Sequence, residues 1–96
     1  MEFIRFEWDP VKDVENLAKH GVSFTEAQLA FGDERCIVKE DLDHSEDEAR
    51  YFCLGRVERG VLTVRFTRRA DVIRIIGAGF WRKGKGIYER ENSLYR

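Results

Sequence analysis

Between residues 35 and 78 the chain is dominated by four short runs, RCIVKE, YFCLGRV, VLTVRFTR and VIRIIGA. They are rich in Val, Ile, Phe and Thr and are separated by charged or Gly-bearing turns, a pattern that describes an antiparallel meander. Upstream, EFIRFEW alternates, with Ile4, Phe6 and Trp8 on one face and Phe3, Arg5 and Glu7 on the other, which predicts a further strand. Asp9 and Pro10 then supply an N-cap and a first helical residue. In the helix that follows, Val11, Val14, Leu17 and Ala18 form an apolar stripe, with Lys12, Asn16, Lys19 and His20 collected opposite. Gly21 closes it, and the capping box Ser23 to Glu26 opens a second helix that presents Phe24, Ala27, Ala30 and Phe31 before Gly32 and Asp33 stop it. The tail GIYERENSLY places Ile87, Glu91 and Leu94 beside Tyr88 and Tyr95, as a closing helix would. Helices followed by a run of strands argue for one α+β domain over residues 1–96, a twisted sheet with helices on one face.

The net charge of -1 hides an asymmetry: residues 1–48 carry 5 Lys or Arg against 14 Asp or Glu, residues 49–96 carry 12 against 4. Such a basic half suits a polyanion or an acidic partner, and equally suits neutralisation by the acidic half within the fold. No run approaches the ~20 apolar residues of a membrane span, and the N-terminus lacks the pattern of a signal peptide, so a cytoplasmic protein is expected. Cys36 and Cys53 stand outside any C-x-x-C unit and read as reduced core or strand residues.

DLDHSEDEAR gathers Asp41, Asp43, His44, Glu46, Asp47 and Glu48 into one acidic loop. Its spacing fits no calcium loop and His44 has no partner at helical spacing, so a solvated turn is the better reading and no metal is expected. His20 and His44 are the side chains suited to proton transfer near neutrality, although a lone His is more often a hydrogen-bonded cap or surface residue. There is no nucleophile elbow and no phosphate loop. On the strands, Arg68 emerges where the face Leu62, Val64, Phe66 runs out, and Arg74 sits within a β-branched run. A buried arginine needs a partner, so each is either ion-paired to the acidic half or a phosphate clamp. Trp81, Arg82, Lys83, Lys85 and Tyr88 interleave aromatic faces with cations, which suits unpaired bases or a protein interface.

Taken in order, FEWD, Asn16, KHGVSF, Ala27, Phe31, Asp33, DHS, Glu48, Arg50, Gly55, TR at 67–68 and RII at 74–76 resemble the BrnT toxin family of bacterial type II toxin–antitoxin modules. The resemblance covers nearly the whole chain. It implies a RelE-like α+β fold, with an N-terminal strand and two helices packed on an antiparallel sheet and a C-terminal helix. It also implies a ribonuclease that halts translation, neutralised by a BrnA-type ribbon-helix-helix antitoxin through which the complex reaches operator DNA, with no cofactor and no membrane.

The matching polar positions are Trp8, Asp9, Lys12, Asn16, Lys19, His20, Asp43, His44, Glu48, Arg50, Arg68 and Arg74. Cleavage of RNA by its own 2′-hydroxyl needs a base, a cation for the phosphorane charge and an acid for the leaving oxygen, and no metal. Arg68 and Arg74 are the expected charge stabilisers, Lys19 or His20 the proton carrier, with His44 second. Asp43, Glu48 and Arg50 are catalytic or structural, and Lys12, Asn16 and the residues from Trp81 to Tyr88 named above are the RNA contacts. Where many members read RIISAR this chain reads RIIGAG, so Gly77 and Gly79 replace a Ser and an Arg. That departure keeps a second reading open, a non-catalytic toxin that only binds its antitoxin in a DNA-bound repressor. A general RNA-binding module is disfavoured by the near-zero net charge.

Overall fold

The computed structural model describes residues 4–93 and pairs the four β-rich runs in chain order. Strands β2 (Ile37–Glu40), β3 (Arg50–Val57), β4 (Gly60–Arg69) and β5 (Val72–Gly79) form the expected antiparallel meander. Strand β1 (Arg5–Glu7) adds to the far side of β5 in parallel, so the sheet is mixed, in the order β1-β5-β4-β3-β2, and not wholly antiparallel. No tight turn joins β1 to its partner, so the local sequence does not set its direction. Phe3, Leu94 and Tyr95, on which part of the strand and tail readings rest, lie outside the described residues.

Helix α1 (Pro10–His20) starts and stops as its punctuation dictates. The Asp9 carboxylate accepts from the Val11 N–H at 2.9 Å, and Gly21 takes the left-handed conformation at φ 70°. The helix nevertheless does not bury its apolar stripe. Val11, Val14 and Leu17 are 64%, 69% and 53% exposed, whereas Asn16 is buried. Polar groups do the anchoring. The Asn16 amide donates to the Val22 and Ala78 carbonyls at 2.9 Å each and accepts from the Ala78 N–H at 3.2 Å, so it continues the pairing of β5 where β1 has ended. Asp13 accepts from the Phe24 N–H at 2.8 Å, fixing the start of α2 (Phe24–Ala27).

The second helix is shorter than its capping box suggests: it is α-helical only to Ala27 and continues to Gly32 as a 3₁₀ turn. That turn lies flat on β3, where a Cβ on Gly55 would overlap the Ala30 backbone. Under it runs the main core, with Val22, Phe24, Ala27 and Ala30 packed on Cys53, Leu62, Val64, Phe66, Ile73, Ile75 and Ala78. A β-bulge at Ile76 brings Ile75 and Ala78, three positions apart, to the same face.

Helix α3 (Arg82–Glu91) covers the opposite face, not the same one, and begins earlier than the sequence reading placed it. Tyr88, 1% exposed, packs with Leu54 and Val61 in a separate cluster. Gly84 makes that approach possible, since a Cβ there would strike the Thr63 hydroxyl.

Candidate functional site

Alternation along the strands sends Thr63, Arg65, Thr67 and Arg69 of β4 to the face that carries α3. Helix α3 covers this face around Leu54, Val61 and Thr63, and the register defines what lies beyond it. Glu7 pairs with Arg74, Arg74 with Thr67, and Thr67 with Arg50. The next position on the far side is Asp41, whose N–H donates to the Arg50 carbonyl at 2.7 Å. Five residues from five separate stretches of chain therefore form one row across the sheet. Arg50 and Arg74 flank Thr67 with backbones ~10 Å apart, two strand spacings, within which two guanidinium groups can meet one phosphate. Thr67 is 2% exposed and its hydroxyl has no hydrogen-bond partner among the described residues.

One step along β4, Arg65 stands half-buried in a second row with Phe52 and Gly77. Arg74 is ion-paired to Glu7 at 2.7 Å and Arg69 meets Glu48 at 3.4 Å, while Arg50 and Arg65 have no ion pair among the described residues. At the end of the first row, His44 Nδ1 lies 2.8 Å from Asp41 Oδ2. Asp43 is exposed on the same turn.

The residues expected to act together are not all together. Arg68 lies on the core face, lining an apolar groove of about 680 Å³ with Phe31, Tyr51, Phe66 and Ile73, so the sheet separates it from Arg74. Lys19 and His20 sit at the opposite end of the sheet. The His20 ring meets Trp81 edge-on with centroids 5.2 Å apart, and Gly79, just before it, is ~16 Å along an extended strand from Arg74. The corner Lys19-His20-Gly21 is therefore a helix terminus packed on an indole, and Arg59 closes over it by donating to the Gly21 carbonyl at 2.7 Å.

Trp81, Arg82 and Lys85 line a cavity of about 370 Å³ with Arg56, Arg59 and Phe80. Lys83 and Lys12 are exposed. Asn16 and Tyr88, expected to touch RNA, are instead occupied inside the fold. The Tyr88 hydroxyl donates to Asp33 at 2.6 Å; burial and that bond push its ionisation up. Burial opposes ionisation of Asp33 as well, but bonds from Tyr88 and from the Arg56 and Arg35 N–H groups outweigh it and hold the carboxyl below its ordinary range. Of the two free cysteines Cys53 is the buried one, and burial, then Cys36 beside it, push its thiol far up. The Gly79 departure has a structural counterpart, because the Trp81 indole fills the space a side chain at 79 would need.

Three residues of this face were missed in the sequence. Arg65 was legible, since it alternates with Val64 and Phe66 and so faces away from the core. Thr67 and Asp41 were not, because an unpartnered hydroxyl and a carboxylate aimed at one imidazole are properties of register and turn geometry.

Fold and face together define a class: a small α+β protein with one sheet face packed as the main core and the other shared between α3 and a group of arginines. Residues 8–84 match the family described as ribonuclease toxin, BrnT, of type II toxin-antitoxin system. The chain belongs to that family, and its module provides an antitoxin partner. No curated protein matches the chain. Among the described residues no helix is long and apolar enough to cross a membrane.

Proposed function

We propose that the chain is a metal-independent endoribonuclease of RelE-like type, acting in the cytoplasm and neutralised by a BrnA-type ribbon-helix-helix antitoxin that carries the complex to operator DNA. The reading rests on one observation, the row in which Arg50 and Arg74 flank the buried Thr67 hydroxyl, unpartnered among the described residues, with Arg65 two positions along β4 on the same face. Guanidinium groups fixed on strands hold the two non-bridging oxygens of a phosphodiester and stabilise the extra charge when the 2′-oxygen attacks phosphorus. Family membership supports the substrate class, and the fixed positions of Arg65 and Arg74 on the sheet support the charge-stabilising role.

The test is cleavage of a labelled messenger RNA in EDTA, with and without translating ribosomes. Arg65→Ala and Arg74→Ala each lose about 10²-fold or more in rate, as for removal of one preorganised donor. Arg68→Ala, on the other face, retains activity. An intact substrate with the wild type in both conditions sinks the reading. One observation favours the non-catalytic alternative: Trp81 closes over Gly79, the position at which the family resemblance implies an Arg. In that case the antitoxin complex still binds operator DNA while no RNA is cut.

A further inference from the structure

A ribonuclease site needs a proton carrier as well as cations, and the carboxylates of the first row are both engaged, Glu7 by its ion pair with Arg74 and the deeply buried Asp41 by an imidazole. Of the two imidazoles, only one stands beside them. His44 lies on the 3₁₀ turn Leu42–His44 that follows β2, and Asp41, at the start of that turn, occupies the row position next to Arg50. The turn is locked to β3 from both directions. Asp41 N–H donates to the Arg50 carbonyl at 2.7 Å, the Ser45 hydroxyl donates to the Asp41 carbonyl at 2.6 Å, and the Arg50 N–H donates back to Ser45 Oγ at 2.9 Å. The Asp41 side chain is 7% exposed while that of His44 is 57% exposed. A carboxylate this deep needs a hydrogen-bond partner, and the His44 ring is the one its Oδ2 has among the described residues. As a carboxylate only accepts, Nδ1 carries the hydrogen, so in the neutral ring Nε2 is the nitrogen left with a lone pair. His20, packed on Trp81, has no such carboxylate among the described residues.

We infer that His44 is the proton-transferring residue of this site and that Asp41 is the positioning residue that fixes its ring and tautomer. The inference rests on the ribonuclease reading above. In the step it describes, His44 Nε2 removes the proton of the 2′-hydroxyl as the O2′–P bond forms. The P–O5′ bond then breaks, and the imidazolium returns that proton to the departing 5′-oxygen. The products are a 2′,3′-cyclic phosphate and a 5′-hydroxyl, and His44 ends as it began. Arg50, one strand spacing or ~5 Å from Asp41 along the row, holds the phosphate beside the ring.

The experiment is single-turnover cleavage of the labelled RNA by wild-type, His44→Ala, Asp41→Asn, the double variant and Arg74→Ala proteins, each with its thermal melt. Binding of an RNA with a 2′-deoxy nucleotide at the cleaved position is measured in parallel. His44→Ala loses about 10²- to 10⁴-fold in rate, binds the uncleavable RNA as the wild type does, and recovers part of its rate in added imidazole. Asp41→Asn loses rate without losing binding, and adds nothing in the His44→Ala background, because it acts through that ring.

Wild-type rate in His44→Ala overturns the inference. So does a His44→Ala protein that loses binding and gains nothing from imidazole. Multiplying effects of the two substitutions assign Asp41 a purely structural role and overturn its part. If Arg74→Ala loses cleavage while His44→Ala keeps it, the ribonuclease reading stands and the dyad falls; if the wild type cuts nothing, the reading itself has failed.

Discussion

Asp33 ties three stretches of chain with one carboxylate, accepting from the Tyr88 hydroxyl and from the N–H groups of Arg56 and Arg35. Its ionisation is depressed from the ordinary 3.8, so the stability it lends is present above that value and is lost as the pH falls through the folded one. Asp33→Asn is expected to cost about 2 kcal/mol at pH 7, the worth of charge-assisted bonds. Urea denaturation of both proteins shows that gap closing in acid. Tyr88 works the other way: its raised ionisation keeps the bond below the ordinary 10 and loosens it as the pH rises further. Both residues show what the sequence withheld at this scale. Tyr88 sits among Arg82, Lys83 and Lys85 and reads as part of a basic, aromatic surface, yet it is the residue by which α3 is anchored. Whether a polar side chain meets solvent or a buried partner depends on chain segments dozens of positions away, and no local spacing records that.

Among the elements, α1 departs furthest from expectation. Amphipathic helices ordinarily turn the apolar stripe inward because burial stabilises by roughly 25 cal/mol per Å². Here two polar side chains hold the helix, Asn16 to β5 and Asp13 to α2, and the stripe is outside. Val14→Lys should therefore change stability by no more than about 0.5 kcal/mol, since surface substitutions away from packed features rarely do more. Phe24→Ala, at 0% exposure, should cost about 3–5 kcal/mol. Thermal melts of the two variants separate the cases, and equal losses would mean that the stripe is packed after all. The caps, the meander and the Leu62, Val64, Phe66 face were legible because they are written in adjacent residues. The parallel placement of β1, the side taken by α3 and the 3₁₀ ending of α2 were not. The first is a pairing of distant segments, and the other two depend on the close approaches at Gly84 and Gly55.

At the scale of the molecule, the charge asymmetry is partly spent inside the fold. Glu7, Glu26 and Glu48 from the acidic half pair with Arg74, Arg59 and Arg69 from the basic half, and Lys39 pairs with Glu91 in the reverse sense. On the α3 face Arg50 and Arg65 stay outside any ion pair among the described residues, and Arg74 is paired to Glu7. Three phosphate contacts on a single strand predict that log Kd for RNA rises with log salt at a slope of about 2, and that Arg65→Ala lowers it by about 0.7. A flat salt dependence in filter binding would remove RNA from this face. The row also sets a rule for synthesis. It draws on position 7 and on position 74, so no nascent fragment that stops short of β5 contains it. The row comes into being only once β5 has left the ribosome.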